Sequence, residues 1–226
     1  MPNGATHMQT IELNPDAPAV ASVIVLHGLG ADGTDFLPMA DEIDLSAIGP
    51  ARWLLPRAPV RPVTLNGGMP MRAWYDIAGT DLAKREDEAG LRETFALVHA
   101  LIHREVERGV PARRIVLAGF SQGCAITLGA GVRHDQRLAG LAGLSGYLPL
   151  ADKTASERHA ANHDVPIFQA HGRRDGMVTM ARGMAARDTL QGLGYQVQWQ
   201  DYPMEHSVCM EEVAALKQWL LRVLAA

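Results

Sequence analysis

The sequence predicts an α/β fold with a mostly parallel central sheet and helices on both faces. Strand-like apolar runs alternate with helix-like segments along nearly the whole chain, which is typical of βαβ units. The run Ala21–Leu26 has few polar groups, as expected of a parallel strand that is covered on both faces. Because 47% of the 226 residues are hydrophobic and 20% are charged, the chain can also bury a full core.

The composition limits the classes of function. A net charge of −4 argues against nucleic-acid binding and against attachment to anionic membranes, both of which call for a basic patch. Two cysteines, Cys124 and Cys209, favour reduced thiols over a disulfide framework. No signal peptide and no apolar run of ~20 residues is found, so no stable membrane insertion is expected. We therefore expect one soluble cytoplasmic domain that spans residues 1–226.

The first third of the chain contains the first strands of the sheet. A turn rich in proline follows the first strand, and a glycine-rich loop from His27 to Gly33 follows the second. The predicted elements are an edge strand at Met8–Leu13, a buried strand at Ala21–Leu26, a helix that is capped by Thr34 and runs to about Ile43, and a strand at Arg52–Leu55.

A long irregular segment is predicted from Pro56 to about Asp81, because its prolines and glycines are incompatible with a regular helix. Loops of this length are uncommon in compact domains and often have a function. Four large apolar side chains in this segment, Leu65, Met69, Met71 and Trp74, predict that it shapes a substrate pocket.

The rest of the chain continues the alternation. Apolar residues recur every three or four positions from Leu91 to Val106, which marks the buried face of a long helix. The predicted elements are a helix at Glu86–Arg108, strands at Ile115–Ala118 and Leu138–Leu144, a partly helical exposed segment at Ala151–Asn162, a strand at Val165–Ala170, a helix at Met180–Leu193, a strand at Gln196–Tyr202 and a helix at Val208–Leu224.

The segment that follows Ile115–Ala118 carries the strongest functional signal. Gly119-Phe-Ser-Gln-Gly123 has the G-x-S-x-G spacing between a predicted strand and a predicted helix, which is the context of a nucleophile elbow. The turn is so tight that a Cβ atom at either glycine would collide with the adjacent strand or helix. Ser121 is therefore the predicted nucleophile.

A serine hydroxyl needs a base and a third group that orients the base. In folds that place the serine on such an elbow, the three catalytic residues follow one another along the chain in the order serine, acid, histidine. Four histidines precede Ser121, His134 ends the elbow helix, and His159 and His163 lie in an exposed segment. His206 is the candidate, because it lies in the loop after the last predicted strand and no histidine follows it.

The acid is expected in an earlier loop that follows a strand. Asp175 fits this position, since it lies in the loop after the predicted strand Val165–Ala170. Asp201 lies within the last strand and only five residues before His206, so it is kept as the alternative acid.

The loop Gly28–Gly33 satisfies the G-x-G-x-x-G pattern and could be read as a dinucleotide fingerprint. That interpretation requires an Asp or Glu about 20 residues further on, and residues 48–53 contain none. An oxyanion loop fits better, with backbone N–H groups of Leu29 and Gln122 facing the developing anion.

Two further patterns have simple structural interpretations. His159 and His163 have the i, i+4 spacing of a metal-binding pair, but no catalytic Glu lies between them, which favours an exposed helix face. Cys124 follows the elbow within a buried helix and is interpreted as a small packing residue.

Taken together, the motifs resemble those of the phospholipase/carboxylesterase family of α/β-hydrolases, which includes bacterial carboxylesterases and acyl-protein thioesterases. The resemblance covers nearly the whole chain. It is carried by residues 26–33 (LHGLGADG), 56–59 (PRAP), 62–68 (PVTLNGG), 71–77 (MRAWYDI), 119–123 (GFSQG), 144–147 (LSGY), 171–175 (HGRRD) and 202–208 (YPMEHSV).

The resemblance implies an α/β-hydrolase fold with no large cap domain. It also implies Ser121, Asp175 and His206 as the catalytic triad, with the backbone N–H groups of Leu29 and Gln122 as the oxyanion hole. Because family members are often dimers, it implies a homodimer as one state of assembly. The chain departs from the family at Glu205, where glycine is usual.

The sequence therefore predicts a serine carboxylesterase for short to medium acyl chains that works through an acyl-enzyme and needs no metal or organic cofactor. The expected partner is a small ester or acyl substrate. An acyl-protein thioesterase or a lysophospholipase would use the same triad and remains an alternative. A nucleotide-binding oxidoreductase and a non-catalytic binding protein on a hydrolase scaffold are alternatives from other classes.

Overall fold

A computed structural model describes residues 8–79 and 86–225. The described residues form nine strands, namely β1 Thr10–Leu13, β2 Ala21–Leu26, β3 Ala51–Pro56, β4 Val60–Val63, β5 Met69–Arg72, β6 Ile115–Phe120, β7 Gly140–Leu144, β8 Ile167–Gly172 and β9 Val197–Tyr202. They also form six α-helices, namely α1 Leu37–Glu42, α2 Glu88–Glu107, α3 Gln122–Gly131, α4 Ala151–Glu157, α5 Met180–Gly192 and α6 Met210–Ala225.

Seven strands form the central sheet in the order β1-β3-β2-β6-β7-β8-β9. Only the edge strand β1 is antiparallel to its neighbour, and the other neighbouring pairs are parallel. The predicted α/β-hydrolase fold, with a mostly parallel sheet between helices, is confirmed. Because β6 lies at the centre, the turn that follows it opens at the middle of the sheet edge where parallel strands end.

The core has one layer on each face of the sheet. All six residues of β2 are buried. Alternate residues of this strand belong to different layers, since Ile24 and Leu26 pack with α2 and α3 while Val23 and Val25 pack with α1 and α6. This two-sided burial explains why the sequence of β2 is apolar throughout instead of alternating. None of the helices in the described ranges is both long and apolar enough to cross a membrane.

The segment predicted to be irregular contains an unpredicted hairpin formed by β4 and β5. Its two prolines, Pro62 and Pro70, lie opposite each other across the ribbon. Proline lacks an N–H donor and is tolerated where a strand has a free edge, which a two-stranded ribbon provides. The prediction was therefore right to exclude a long helix and wrong to exclude strands; the end of the segment, at residues 80–81, lies outside the described residues.

The first helix also begins differently from the prediction. Asp32 is the N-cap instead of Thr34, and a 3₁₀ turn over Gly33–Phe36 precedes α1. The Asp32 carboxylate accepts a hydrogen bond from the Thr34 N–H at 3.2 Å, and Asp35 accepts one from the Asp32 N–H at 2.9 Å. This reciprocal capping box satisfies two backbone donors, which a Thr34 cap would not do.

A buried carboxyl group lies in the first turn of α6. Glu212 is fully buried, and neither carboxyl oxygen has a hydrogen-bond partner of normal geometry among the described residues. Burial raises the pKa of Glu212 to about 8, and the backbone N–H of Cys209 offsets only part of this effect.

A substitution of Glu212 tests this burial through the pH dependence of stability. Between the unfolded pKa of 4.5 and the folded pKa of about 8, the folded protein holds a proton that the unfolded chain lacks. The free energy of unfolding therefore falls as pH rises through this window, by up to about 4 kcal/mol from pH 5 to pH 8. We expect Glu212→Gln to remove this loss and to be more stable than the unmodified protein at pH 8.

Urea unfolding at pH 5 and pH 8 measures the difference. Glu211→Gln is the matched control, because Glu211 is adjacent in sequence and exposed. Equal pH dependence in Glu212→Gln and Glu211→Gln would contradict the assignment.

Candidate active site

Ser121 lies in a strained turn between β6 and α3. Its backbone has φ 55° and ψ −116°, a conformation that L-residues rarely adopt. A Cβ atom at Gly119 or Gly123 would lie less than 3.0 Å from backbone atoms of the elbow or of β2. The two glycines thus allow β6, β2 and α3 to meet, and the Ser121 side chain lies on the surface of a cleft.

The three residues of the predicted triad lie together. His206 Nε2 is 2.8 Å from Ser121 Oγ, and His206 Nδ1 is 2.7 Å from Asp175 Oδ2. The hydroxyl, the imidazole and the carboxylate therefore form a continuous hydrogen-bonded chain, although 85 positions separate Ser121 from His206. This arrangement is that of a nucleophile, a general base and an orienting acid.

The carboxylate of Asp175 is fixed by its own loop. Its Oδ1 accepts hydrogen bonds from the backbone N–H groups of Met177 and Val178, both at 2.9 Å, and the side chain is fully buried. The buried His171 donates from Nε2 to the Val178 carbonyl at 2.7 Å and so holds the same loop from behind. Because Oδ1 is occupied in this way, Oδ2 remains directed at the imidazole.

The alternative acid, Asp201, does not reach His206. It lies on β9 and forms an ion pair with Arg173 at the surface. Of the two carboxylates considered from sequence, the structure brings only Asp175 to the histidine.

The loop that carries His206 is positioned by close contact between its backbone and the backbone at the end of β8. A Cβ atom on Gly172, the last residue of β8, would lie less than 3.0 Å from the carbonyl oxygens of Met204 and Glu205. The imidazole also packs on the ring of Phe120, with the ring centroids 4.7 Å apart. Glu205, which precedes the histidine, is exposed to solvent.

The glycine-rich loop after β2 lies beside Ser121. An added Cβ atom on Gly28 would be 3.4 Å from the Ser121 Cβ atom. His27 is buried beneath the loop, where its Nδ1–H donates to the Gly28 carbonyl at 2.7 Å and its Nε2 accepts the Ala58 N–H at 3.0 Å. Burial lowers the pKa of His27, which favours the neutral ring that this pair of hydrogen bonds requires.

The two predicted oxyanion donors flank the serine. Leu29 lies on this loop and lines the cleft, and Gln122 is the first residue of α3. The first N–H groups of a helix have no acceptor within the helix and carry a partial positive charge. The location of both residues suits an oxyanion hole better than a nucleotide-binding loop.

The side chain of Gln122 has a role that the sequence did not predict. Its Oε1 accepts the Trp74 backbone N–H at 2.9 Å, and its Nε2 donates to the Tyr75 carbonyl at 2.7 Å. Trp74 in turn donates from Nε1 to the His27 carbonyl at 2.8 Å. These bonds connect the segment after β5 to the elbow and to the oxyanion loop. No motif indicates this contact, because it joins residues 48 positions apart.

An apolar cleft of about 830 Å³ opens at Ser121 and His206. Its size is within the usual range for small-molecule sites. The sequence missed most of its walls, since they come from six separate segments of the chain and most of their apolar residues carry no motif. The apolar lining residues include Leu29, Phe36, Pro38, Met39, Leu65, Ile77, Phe120, Met177, Val178, Val208, Met210 and Val213.

The predicted acyl-pocket residues need correction. Of the four, only Leu65 lines this cleft. Trp74 is fully buried, and its Nε1–H donates to the His27 carbonyl behind the glycine-rich loop. Met69 is 63% exposed on the hairpin, and Met71 accepts a hydrogen bond at Sδ from Asn66. Residues two positions apart on a strand face the same side, so Met69 and Met71 share one side of β5, and neither lines the cleft.

Comparisons with known proteins agree on one family. The family model described as phospholipase/carboxylesterase matches residues 8–224. The acyl-protein thioesterase 1 of Yarrowia lipolytica is 37% identical over 215 residues, covering 93% of this chain and 95% of that protein.

Solved structures give the same result. SOBER1 of Arabidopsis thaliana superposes with a TM-score of 0.86 at 32% identity, covering 90% of this chain and 99% of that chain. The acyl-protein thioesterase 2 of Zea mays superposes with a TM-score of 0.83 at 27% identity, covering 96% and 99%.

A substitution at Gly172 tests whether the close approach at the end of β8 positions His206. We expect Gly172→Ala to lower kcat by about 100-fold, since a shift of about 1 Å in a catalytic group can cost that much. Steady-state hydrolysis of p-nitrophenyl butyrate measures the effect, with circular dichroism to verify folding.

Gly192→Ala is the control, because no atom lies within 4 Å of a Cβ atom added at that glycine. Unchanged kcat in folded Gly172→Ala would show that the loop does not depend on this contact.

Proposed function

The chain belongs to the phospholipase/carboxylesterase family of α/β-hydrolases, and we propose that it is a serine hydrolase that removes acyl groups from cysteine side chains of proteins. The observation that carries the proposal is the 2.8 Å contact between His206 Nε2 and Ser121 Oγ at the end of a large apolar cleft. The names of the curated relatives favour this substrate over the general carboxylesterase expected from the sequence, so the earlier alternative becomes the main proposal.

In the proposed mechanism, Ser121 Oγ attacks the carbonyl carbon of the acyl group while His206 Nε2 takes the hydroxyl proton. Asp175 accepts the Nδ1–H of His206, which fixes the tautomer and stabilises the imidazolium. The carbonyl oxygen becomes an oxyanion that the backbone N–H groups of Leu29 and Gln122 would stabilise, each by about 3 kcal/mol.

Collapse of the tetrahedral intermediate breaks the carbon–sulfur bond, and the imidazolium returns its proton to the departing cysteine sulfur. A thiol has a pKa near 8.5 and is therefore a much better leaving group than an alcohol. His206 then removes a proton from water, which attacks the acyl-serine ester and releases the fatty acid. The carbon–oxygen bond to Ser121 breaks in this step, and the imidazolium returns its proton to Ser121 Oγ.

The apolar cleft supports an acyl chain as the recognised part of the substrate. Each CH₂ group that moves from water into the cleft contributes about 0.8 kcal/mol, which is about fourfold in kcat/KM. A volume of about 830 Å³ leaves space well beyond an acetyl group. We therefore propose that the substrate carries an acyl chain longer than the short to medium chains expected from the sequence.

Oxygen esters are the second candidate, because esters and thioesters pass through the same kind of tetrahedral intermediate. The description of the matching family model names phospholipases and carboxylesterases. A lysophospholipid or a simple ester would place its acyl chain in the same cleft, so the triad alone does not separate these substrates. We further propose a cytoplasmic setting, where both unpaired cysteines would stay reduced.

A substrate panel separates the candidates. For p-nitrophenyl esters from two to sixteen carbons, we expect kcat/KM to rise about fourfold per CH₂ until the cleft is filled. On a palmitoylated-cysteine peptide, we expect kcat/KM to exceed that of the O-palmitoyl serine analogue and of lysophosphatidylcholine. Preference for the lysophospholipid would support the second candidate, and a flat chain-length series would contradict the assignment of the cleft.

Substitution of the two candidate acids tests the role of Asp175. Asp175→Asn should lower kcat by about 10⁴, because the amide no longer accepts the Nδ1–H of His206. Asp201→Asn removes the same charge on the neighbouring strand and should leave kcat within about twofold, since Asp201 contacts Arg173 and not the base. The reverse pattern would identify Asp201 as the acid and overturn the assignment.

A further inference from the structure

Three potential metal ligands lie at the end of α3 that is remote from Ser121. His103 lies on α2, while His134 and Asp135 follow the last turn of α3. Two imidazole nitrogens and one carboxylate oxygen of these residues lie within 4.8 Å of one another. We propose that they bind a divalent transition-metal ion, for which Zn²⁺ best matches two neutral imidazoles and a carboxylate.

His134 supplies the observation that carries this proposal. Its side chain is fully buried, and its Nε2 has no hydrogen-bond partner within the described part of the chain. The other nitrogen, Nδ1, is 3.0 Å from the Gln136 carbonyl oxygen and 3.1 Å from the Gln136 backbone nitrogen. A buried polar atom without a hydrogen-bond partner destabilises the folded state by about 1–3 kcal/mol.

Neither tautomer of His134 gives Nε2 a partner. If Nδ1 accepts the Gln136 N–H, then Nε2 carries the proton, and the 3.7 Å between Nε2 and Asp135 Oδ1 is too long for a hydrogen bond. If Nδ1 donates to the Gln136 carbonyl, then Nε2 presents a lone pair toward His103 and Asp135. The second arrangement is typical of a metal-ligating histidine, which usually donates its other N–H to a carbonyl or carboxylate.

The distances suit a small tetrahedral ion. His103 Nε2 and His134 Nε2 are 3.2 and 3.7 Å from Asp135 Oδ1. Ligands at 2.0–2.1 Å from a tetrahedral Zn²⁺ are separated from one another by about 3.3 Å. Because the side chains of His103 and Asp135 are 43% and 62% exposed, they can adjust, and solvent can supply the fourth ligand.

The surroundings also favour a cation. The cluster lies just beyond the C-terminal end of the ten-residue helix α3, where the helix dipole is negative. Arg133, the adjacent positive side chain, is engaged with Glu157 at 2.8 Å. The ring of His99, one turn before His103 on α2, packs edge-on against His134 with centroids 4.9 Å apart and keeps that imidazole in place.

A metal at this position would connect α2 to the loop after α3. Because α3 is about 15 Å long, the ion would not contact a substrate bound at Ser121. Its effect would be on the stability of the helix that carries the nucleophile, not on the chemical step.

The first test titrates the EDTA-treated protein with Zn²⁺ and measures binding by calorimetry. A second titration uses Co²⁺ and records the visible absorption of the bound ion. We expect one equivalent to bind, tetrahedral Co²⁺ bands, and a rise in Tm of about 5 °C or more at 100-fold excess over Kd. Hydrolysis of p-nitrophenyl butyrate should not be inhibited by this first equivalent. Inhibition with a stoichiometry of one would place the ion at the triad and overturn the proposal.

Three variants identify the ligands. His134→Gln, His103→Gln and Asp135→Asn should each weaken Zn²⁺ binding at least about tenfold and reduce the shift in Tm. The last two change exposed side chains, so they keep the test valid if His134→Gln does not fold. His159→Gln/His163→Gln removes two exposed histidines outside the cluster and should bind Zn²⁺ normally. Unchanged binding in both exposed variants, or loss in the control, would refute the site.

Discussion

The close packing at the turn that carries Ser121 is the constraint on which the rest of the site depends. Gly119 lets the end of β6 approach α3, and Gly123 lets the start of α3 approach β2, more closely than any side chain would allow. This packing holds Ser121 at φ 55° and directs its hydroxyl into the cleft. Strain of this kind costs about 1–3 kcal/mol and persists only where the surroundings determine it. The rigid central strand provides such surroundings, because β6 is paired on both sides.

A second layer of buried polar contacts joins the remaining parts to that turn. Gln122 holds the segment of Trp74 and Tyr75, and Trp74 holds the loop of His27.

On the other side of the serine, Gly172 allows the His206 loop to approach β8, and Asp175 is fixed by two N–H groups of its own loop. These contacts hold groups from distant parts of the sequence at hydrogen-bond distance from one another.

The sequence predicted the features that have a local physical signature. The apolar run of β2, the glycine spacing of the elbow and the order of Ser121, Asp175 and His206 each follow from short-range sterics or from the direction of parallel strands. The hairpin formed by β4 and β5 was missed, because its prolines are tolerated only at a free ribbon edge that the sequence does not reveal. The acyl pocket was largely misassigned for a similar reason. An apolar residue such as Trp74 can face a cleft or a core, and only the three-dimensional packing decides between them.

Reaction with a fluorophosphonate probe tests the central claim most directly, because the probe phosphonylates a serine only when a neighbouring base activates it. We predict that intact-mass measurement and peptide mapping will find one equivalent of probe on Ser121, and that folded His206→Gln will react at least about 100-fold more slowly. Labelling of another serine, or an unchanged rate in His206→Gln, would contradict it.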